Sequence, residues 1–169
     1  MSKFTYKEHE YPINMLMDAY GADCYPTNYT NEGLETALES MPVKYRSAVL
    51  RRYKEKQSLG EIAVAIGKTS NWAKTLILKG LRYLRHPLRL RQLTGETVTY
   101  GPGETIPIWE LDLNNRCMFR LQMKGITSVN ELLTTPKDEL LSIRNMGEKT
   151  YEEIMDRVKA LGYGVGQPQ

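Results

Sequence analysis

The chain has 169 residues, a formal net charge of +3 and 25% charged residues. This length allows one medium domain or two small ones, and the composition is ordinary for a globular protein. No apolar run approaches the roughly 18 residues of a membrane-spanning helix, so we expect no membrane contact. The two cysteines, Cys24 and Cys117, are predicted to be free thiols of a reducing compartment.

The positive charge is concentrated in the middle of the chain. Residues 1–40 carry a net charge of −5, residues 41–95 carry +11 and residues 96–169 carry −3. A solvated charged face is the ordinary interpretation of such a run. Here it coincides with the helical pattern described below, and this combination is the electrostatic footprint of a nucleic-acid-binding module.

Residues 1–29 give the weakest pattern, because Pro12, Gly21 and Pro26 interrupt it. The apolar residues between Ile13 and Met17 fit one short helix. We expect an acidic N-terminal arm over residues 1–29. The alternative is that this segment contacts a basic partner or the basic module of the chain itself.

Two helices are predicted between Asn31 and Lys56, in a domain that spans residues 30–93. The first begins near Asn31. The second is strongly basic, runs from Val43 to about Lys56, and places Val43 on its apolar side.

The stretch from Ser58 to Pro87 has the pattern of two helices around a tight turn. Ser58 and Glu61 form a capping-box pattern at the start of the first helix. Gly67 follows where a positive φ is needed, Ser70 is the N-cap candidate of the second helix, and Pro87 marks its end. Such a pair of helices matches the helix-turn-helix pattern, whose second helix enters the DNA major groove.

A linker is predicted at residues 94–106, where Gly and Pro interrupt the periodic pattern. A second helical module follows at residues 107–163, and residues 164–169 form a tail.

Within the second module, capping patterns mark the helix starts. Asn114 or Asn115 can cap the first helix, and residues 128–131 form another capping box. Thr135 is the N-cap candidate of a short third helix. The last helix is predicted from residue 148 to residue 161.

Residues 38–89 resemble region 4 of bacterial primary sigma factors, most specifically in the closing motif KGLRYLRHP at residues 79–87. The resemblance implies docking on the RNA polymerase flap and recognition of promoter DNA by the second helix. The residues at the base-contacting positions of the second helix differ from the family pattern. Recognition of the promoter −35 element is therefore not transferred to this chain. The candidate base contacts are Ser70, Asn71, Trp72, Lys74 and Thr75, and the candidate phosphate contacts are Arg51, Arg52, Lys68, Lys79 and Arg82.

Three of the candidate base contacts have distinct chemistry. Asn71 can read adenine through two hydrogen bonds, and Lys74 can bond guanine. Trp72 lies beside the apolar stripe, where it either packs partly on the core or contacts a thymine methyl group or a sugar.

Residues 107–163 resemble the C-terminal domain of the RNA polymerase alpha subunit. The motifs are IWELDLNNR at 108–116, KGITSVNEL at 124–132 and IRNMGEKT at 143–150. The resemblance implies binding to the minor groove of A·T-rich upstream DNA and contact with activators. It assigns DNA contacts to Arg116, Asn145, Gly147, Lys149 and Thr150, and an acidic position to Glu153.

Two residues depart from the alpha-subunit pattern. Phe119 stands where the family has an asparagine that contacts DNA, and Glu148 stands where a lysine is usual. The net charge of this part of the chain also favours a competing interpretation, a helical protein-interaction module that has lost most of its DNA binding.

These observations predict an all-α fold of two small helical domains and a promoter-DNA-binding transcription factor that engages bacterial RNA polymerase. Double-stranded promoter DNA and the core polymerase flap are the expected partners, and the sigma factor is a further candidate. We expect no enzymatic activity, cofactor, metal or small-molecule substrate, since His9 and His86 lack ligand-spaced neighbours. The resemblances imply the cytoplasm of a bacterial cell, with a phage or mobile element as another source of the gene.

Two other functions stay open at this point. One is a polymerase-binding adaptor or inhibitor that binds little DNA. The other is a helix-hairpin-helix accessory protein of DNA repair, for which the hairpins at Gly125 and Gly147 would bind the DNA backbone.

Overall fold

The structure, a computed structural model, describes residues 8–162. Over this range the regular structure is helical, and the extended pairing consists of an isolated antiparallel bridge between Pro107 and Ser128. The chain divides into two compact units between Thr97 and Val98, here called the first and the second unit. The prediction of an all-α fold with two small domains is confirmed.

The helices follow one another along the sequence in both units. Those of the first unit are α1 (Ile13–Tyr20), α2 (Asn31–Glu39), α3 (Val43–Tyr53), α4 (Leu59–Ile66), α5 (Ser70–Leu84) and α6 (Pro87–Thr94). Those of the second unit are a short 3₁₀ helix (Ile108–Leu111), α7 (Asn115–Met123), α8 (Val129–Thr134), α9 (Lys137–Leu141) and α10 (Glu148–Ala160).

Helix α1 is part of the core of the first unit, where it packs against α3 and α5. Met15, Leu16 and Ala19 have no exposed surface. Asn14 is equally buried, and its Nδ2 donates a hydrogen bond of 3.2 Å to the carbonyl of Tyr53. Over residues 8–29 the structure therefore differs from the acidic N-terminal arm predicted for residues 1–29, whose first seven residues lie outside the described range. Burying a Leu or Met side chain stabilises a fold by about 1.5–3 kcal/mol, which favours the packed position of α1.

Two acidic residues of this segment, Glu10 and Asp18, contact the basic module of the same chain. Glu10 forms an ion pair of 2.9 Å with Lys56, and Asp18 accepts a hydrogen bond of 2.8 Å from the hydroxyl of Tyr53. The structure thus shows the intramolecular contact that the sequence left open as an alternative.

Helices α2 and α6 approach each other closely at Gly33. A Cβ atom on Gly33 would lie 2.1 Å from the carbonyl oxygen of Gln92 and 2.7 Å from that of Leu93. Next to it, the backbone N–H of Thr30 donates to the carbonyl of Leu93 at 2.9 Å. Pro87 follows the end of α5 as expected, but it also opens α6, where its missing N–H costs little.

Two side chains of α3 differ from the prediction, which placed Val43 on the apolar side and Arg52 on the surface as a phosphate contact. Val43 is 69% exposed, whereas Arg52 is only 6% exposed and its Nη1 donates to the carbonyl of Gln57 at 3.0 Å. The buried stripe of α3 contains Ala48 and Val49. Arg52 is four residues after Ala48 and so falls on that stripe, while Val43 does not.

The core of the second unit begins inside the expected linker. Ile106 is 1% exposed, and the N–H of Val129 donates to its carbonyl at 2.8 Å. Asn114 is the residue that caps α7, and the capping box of Ser128 is present. The N-cap predicted at Thr135 is wrong, because its hydroxyl donates to the carbonyl of Glu131 in the preceding helix.

Candidate nucleic-acid interfaces

Helix α4 begins and ends as its sequence predicts. The N–H of Ser58 donates to Oε2 of Glu61 at 2.7 Å, and the N–H of Glu61 donates to Oγ of Ser58 at 3.2 Å. Hydrogen bonds from the backbone and the side chain of Ser58 lower the pKa of the Glu61 carboxyl. Gly67 ends the helix with a φ of 63°, so the backbone turns sharply into α5.

The N-cap of α5 is Thr69 and not Ser70. Oγ1 of Thr69 accepts a hydrogen bond of 3.2 Å from the N–H of Trp72. Ser70 is the first helical residue and is exposed. Its side chain thus stays on the surface at the start of the helix.

The first turns of α5 present polar and aromatic side chains to solvent. Asn71 and Lys74 are exposed, and Trp72 is 48% exposed. About half of the Trp72 surface is therefore open to a contact with DNA, and the other half is covered by the protein. Thr75 is half-buried, and its hydroxyl donates to the carbonyl of Asn71 at 2.9 Å, so this hydroxyl proton is engaged within the helix.

The predicted phosphate contacts of the first unit fall into two groups. Lys68, Lys79 and Arg82 are exposed and form no ion pair with another residue of the described range. Arg51 lies 3.9 Å from the carboxylate of Glu55 and is partly buried. Arg52 is buried as described above, so it is placed to hold the backbone at residue 57 rather than to reach a phosphate.

In the second unit, three of the predicted DNA-contact residues meet at one open pocket of about 200 Å³. Arg116 comes from α7, Asn145 from the turn before α10, and Thr150 from the first turn of α10. The remaining lining residues are Asn114, Cys117, Arg120 and Met146.

The N-terminus of α10 lies beside this pocket. Gly147 is its N-cap residue and leaves the first amides without a side-chain cap, and Lys149 is exposed. Asn145 adopts a φ of 62°, which brings the backbone round in a tight turn before the helix. Uncapped amides at a helix N-terminus favour an anion, and the exposed lysine adds positive charge.

Residues 102–160 match the family model that describes the C-terminal domain of the bacterial RNA polymerase alpha subunit. The matched segment contains the pocket and the start of α10. The resemblance of the second module to this domain is thereby confirmed. The resemblance of the first unit to sigma region 4 stays a prediction.

Several curated proteins named DNA-directed RNA polymerase subunit alpha are similar to this chain. The protein of Helicobacter hepaticus is 44% identical over 61 residues, which are 36% of this chain and 18% of the relative. The protein of Hydrogenobaculum sp. is 37% identical over 62 residues, 37% of this chain and 19% of the relative. The protein of Dehalococcoides mccartyi is 42% identical over 160 residues, 89% of this chain and 45% of the relative.

The 169 residues thus span less than half the length of each of these relatives. The alignment to the Dehalococcoides mccartyi protein is long enough to reach into the first unit. No solved structure matches this protein.

Two of the unpaired cations described in the alpha-like second unit, Arg116 and Arg120, line the pocket. Three of its eight Lys and Arg residues pair with carboxylates: Lys137 with Glu148 at 3.0 Å, Arg157 with Asp112 at 3.9 Å, and Lys159 with Asp156 at 3.7 Å. The other five form no ion pair within residues 8–162 and lie on α7, at its C-cap, or around the N-terminus of α10. They are Arg116, Arg120, Lys124, Arg144 and Lys149.

Arg120 is a pocket residue that the sequence reasoning missed. It follows Arg116 by four residues on the same helix, and this spacing places both side chains on one face. The i,i+4 spacing was the available signal. The resemblance to the alpha subunit by itself assigns no DNA contact to this position.

Cys117 forms part of the pocket wall and is 6% exposed. Burial raises the pKa of its thiol, and the Glu153 carboxylate acts in the same direction, while Arg120 and Arg157 oppose them. The pocket is therefore lined by a neutral thiol at pH 7, and its cationic character comes from the arginines.

The described residues contain neither a metal-binding cluster nor a membrane-spanning helix. Among the described residues, no three His, Cys, Asp or Glu side chains are grouped so that they could hold a metal ion. None of the described helices is both long and apolar enough to cross a membrane.

Proposed function

We propose that this protein is a DNA-binding transcription factor that engages bacterial RNA polymerase. The observation that carries the proposal is the match of residues 102–160 to the C-terminal domain of the alpha subunit, with two arginines that form no ion pair within the described residues, Arg116 and Arg120, in the lining of one pocket. A phosphate-rich polymer is the ligand that such a surface favours.

In this proposal the second unit binds the minor groove of A·T-rich DNA. Arg116 enters the groove, since a narrow A·T minor groove attracts arginine. The uncapped amides that follow Gly147, together with Asn145, Lys149 and Thr150, hold the neighbouring phosphate. Arg120 adds charge on the same side of α7.

The first unit is proposed to act as a sigma region 4-like helix-turn-helix, with α5 in the major groove. The exposure of Ser70, Asn71, Trp72 and Lys74 on the first turns supports this assignment, because such helices contact base edges near their N-termini. The exposed residues Lys68, Lys79 and Arg82 contact phosphates. Arg51 contributes less to phosphate binding, because it is partly buried and its positive charge is partly neutralised by the nearby carboxylate of Glu55.

The core polymerase, through its flap, is the proposed protein partner, and the sigma factor is a second one. Two weak sites on one polypeptide bind a bipartite target more tightly than either site alone, because tethering raises the effective concentration of the second site. The upstream DNA and the polymerase would then be held together at one promoter.

A salt titration of binding to an A·T-rich duplex tests the DNA-binding part. We expect the affinity to fall steeply with salt, with a log–log slope of about −0.9 for each neutralised phosphate. Arg116→Ala should weaken binding, and Arg157→Ala is the matched control, because Arg157 is paired with Asp112 and donates to backbone carbonyls. Absence of duplex binding at low salt would overturn this part.

An adaptor or inhibitor that binds polymerase with little DNA affinity is the second candidate. The observation that favours it is the carboxylate of Glu148, which stands at the helix N-terminus where a phosphate would lie. Co-purification with core polymerase, in the absence of measurable duplex binding, would establish this function instead.

A further inference from the structure

Helix α7 carries an unpartnered aromatic side chain at the centre of its solvent-facing side. Phe119 is 62% exposed, and Met123, four residues later on the same face, is 72% exposed. The apolar residues of the core-facing side, Cys117 and Leu121, are both buried. The exposed pair is thus not an extension of the core.

Three cations lie along one side of this apolar pair. Arg116, Arg120 and Lys124 follow one another at four-residue steps, and residues 115–124 contain no acidic residue. At about 100° per residue, the cations and the apolar pair together occupy an arc of about 140° on the helix. Arg116 precedes Phe119 by three residues, so the two side chains lie about 60° apart on this arc, in adjacent turns.

This combination favours nucleic acid over protein as the occupant. The buried centre of a protein interface is depleted of charged residues, whereas here cations adjoin the apolar pair. A DNA duplex offers both phosphates for the cations and an apolar surface between its base pairs. Minor-groove proteins commonly use an arginine beside an apolar wedge that enters a base step and bends the duplex.

We propose that Phe119 inserts between two base pairs from the minor groove, beside Arg116, and bends the DNA. The inference rests on the proposed DNA binding of the second unit and names its substrate more closely. The preferred duplex is A·T-rich and contains a flexible TA step, because pyrimidine–purine steps unstack most easily. Met123 widens the apolar surface that meets the opened step.

The test uses the full-length protein and two A·T-rich duplexes that carry a donor and an acceptor fluorophore at their ends. One duplex has a central TA step and the other a central AA step. We expect the wild-type protein to bend the TA duplex by about 20° or more, seen as increased energy transfer. We also expect it to prefer the TA duplex by about threefold or more.

Three variants separate the possible outcomes. Phe119→Asn should still bind but lose both the bend and the TA preference, whereas Phe119→Leu should retain part of each, since leucine also serves as a wedge. Arg116→Ala should lose affinity on both duplexes. Because Phe119 is exposed, neither change at this position removes a core side chain.

A straight duplex bound to the wild type, or an equal bend with Phe119→Asn, would overturn the wedge while leaving the proposed function intact. If Phe119→Asn instead leaves DNA bending unchanged and abolishes co-purification with polymerase, this face is a protein contact and the proposal is wrong. Failure of the wild-type protein to bind either duplex would overturn both proposals.

Discussion

Lys137 places its ammonium group 3.0 Å from the carboxylate of Glu148, the first residue of α10. This hydrogen-bonded pairing raises the pKa of Lys137, whose ammonium also lies 5.1 Å from the centre of the Tyr151 ring. The pair offsets the negative charge that Glu148 brings to the proposed phosphate site. The departure of Glu148 from the alpha-subunit pattern is thus partly compensated within the same unit.

Changing this pair should alter DNA affinity. We expect Glu148→Lys to tighten binding to an A·T-rich duplex and Lys137→Met to weaken it, each by about two- to fivefold at low salt, because exposed charges interact modestly and are screened. Fluorescence anisotropy at two salt concentrations measures both changes. Asp156→Lys, about 12 Å further along α10, is the control, and an equal gain there would show that net charge alone is responsible.

Lys74 and Arg82 of α5 should differ in their effects on DNA recognition. Lys74→Ala removes a side chain on the first turns of the proposed recognition helix, so the preferred sequence should change. Arg82→Ala removes a phosphate contact, so binding should weaken evenly and the salt slope should fall by about 1. Selection from a pool of random duplexes measures the preference of each variant. Identical effects of both variants on all sequences would contradict the role of Lys74.

The burial of α1 predicts that the segment over residues 8–29 is needed for the stability of the first unit. Leu16→Ala should lower the free energy of unfolding by about 2–5 kcal/mol, since Leu16 is completely buried. Denaturant unfolding followed by circular dichroism measures the change. Val64→Ala serves as the control because Val64 is 83% exposed. An unchanged transition for Leu16→Ala would show that α1 does not belong to the core.

The close approach of α2 and α6 predicts a large effect at Gly33. Gly33→Ala should destabilise the first unit by about 1–3 kcal/mol or more, because its Cβ would meet two backbone oxygens that cannot rotate away. Gly60→Ala is the matched control. Gly60 is also helical, its nearest neighbour would be 3.9 Å away, and this change should stabilise by about 0.4–1 kcal/mol. Thermal unfolding that shows equal effects would argue against the contact.

The two cysteines should react with alkylating reagents at different rates. Cys24 is exposed and should be modified quickly. Burial raises the pKa of Cys117, so its thiolate fraction is small near pH 8 and its reaction should accelerate only at higher pH. Because Cys117 lines the pocket, a bound A·T-rich duplex should slow its modification further. Mass spectrometry of the labelled protein measures both rates, and equal rates would contradict the burial of Cys117.

The helix starts show what could be predicted from the sequence alone. The capping boxes at Ser58 and Ser128 depend on hydrogen bonds between residues three apart, and such local bonds form wherever the helix forms. The same holds for Gly67, since a left-handed residue after a helix is a local requirement. The sequence did not distinguish Thr69 from Ser70 as the N-cap of α5, because either hydroxyl could accept a hydrogen bond from a backbone amide in the first turn of the helix.

The tertiary structure decided the positions that depend on distant parts of the sequence. Arg52 is buried because it shares a stripe with Ala48, and α1 is buried because α3 and α5 leave room for its apolar face. Arg120 and Asn145 line the same pocket, and Lys137 forms an ion pair with Glu148, although the residues of each pair lie far apart in the sequence. Local patterns in the sequence determined where the helices form, whereas burial and charge pairing follow from which helices meet, and this is decided by long-range packing.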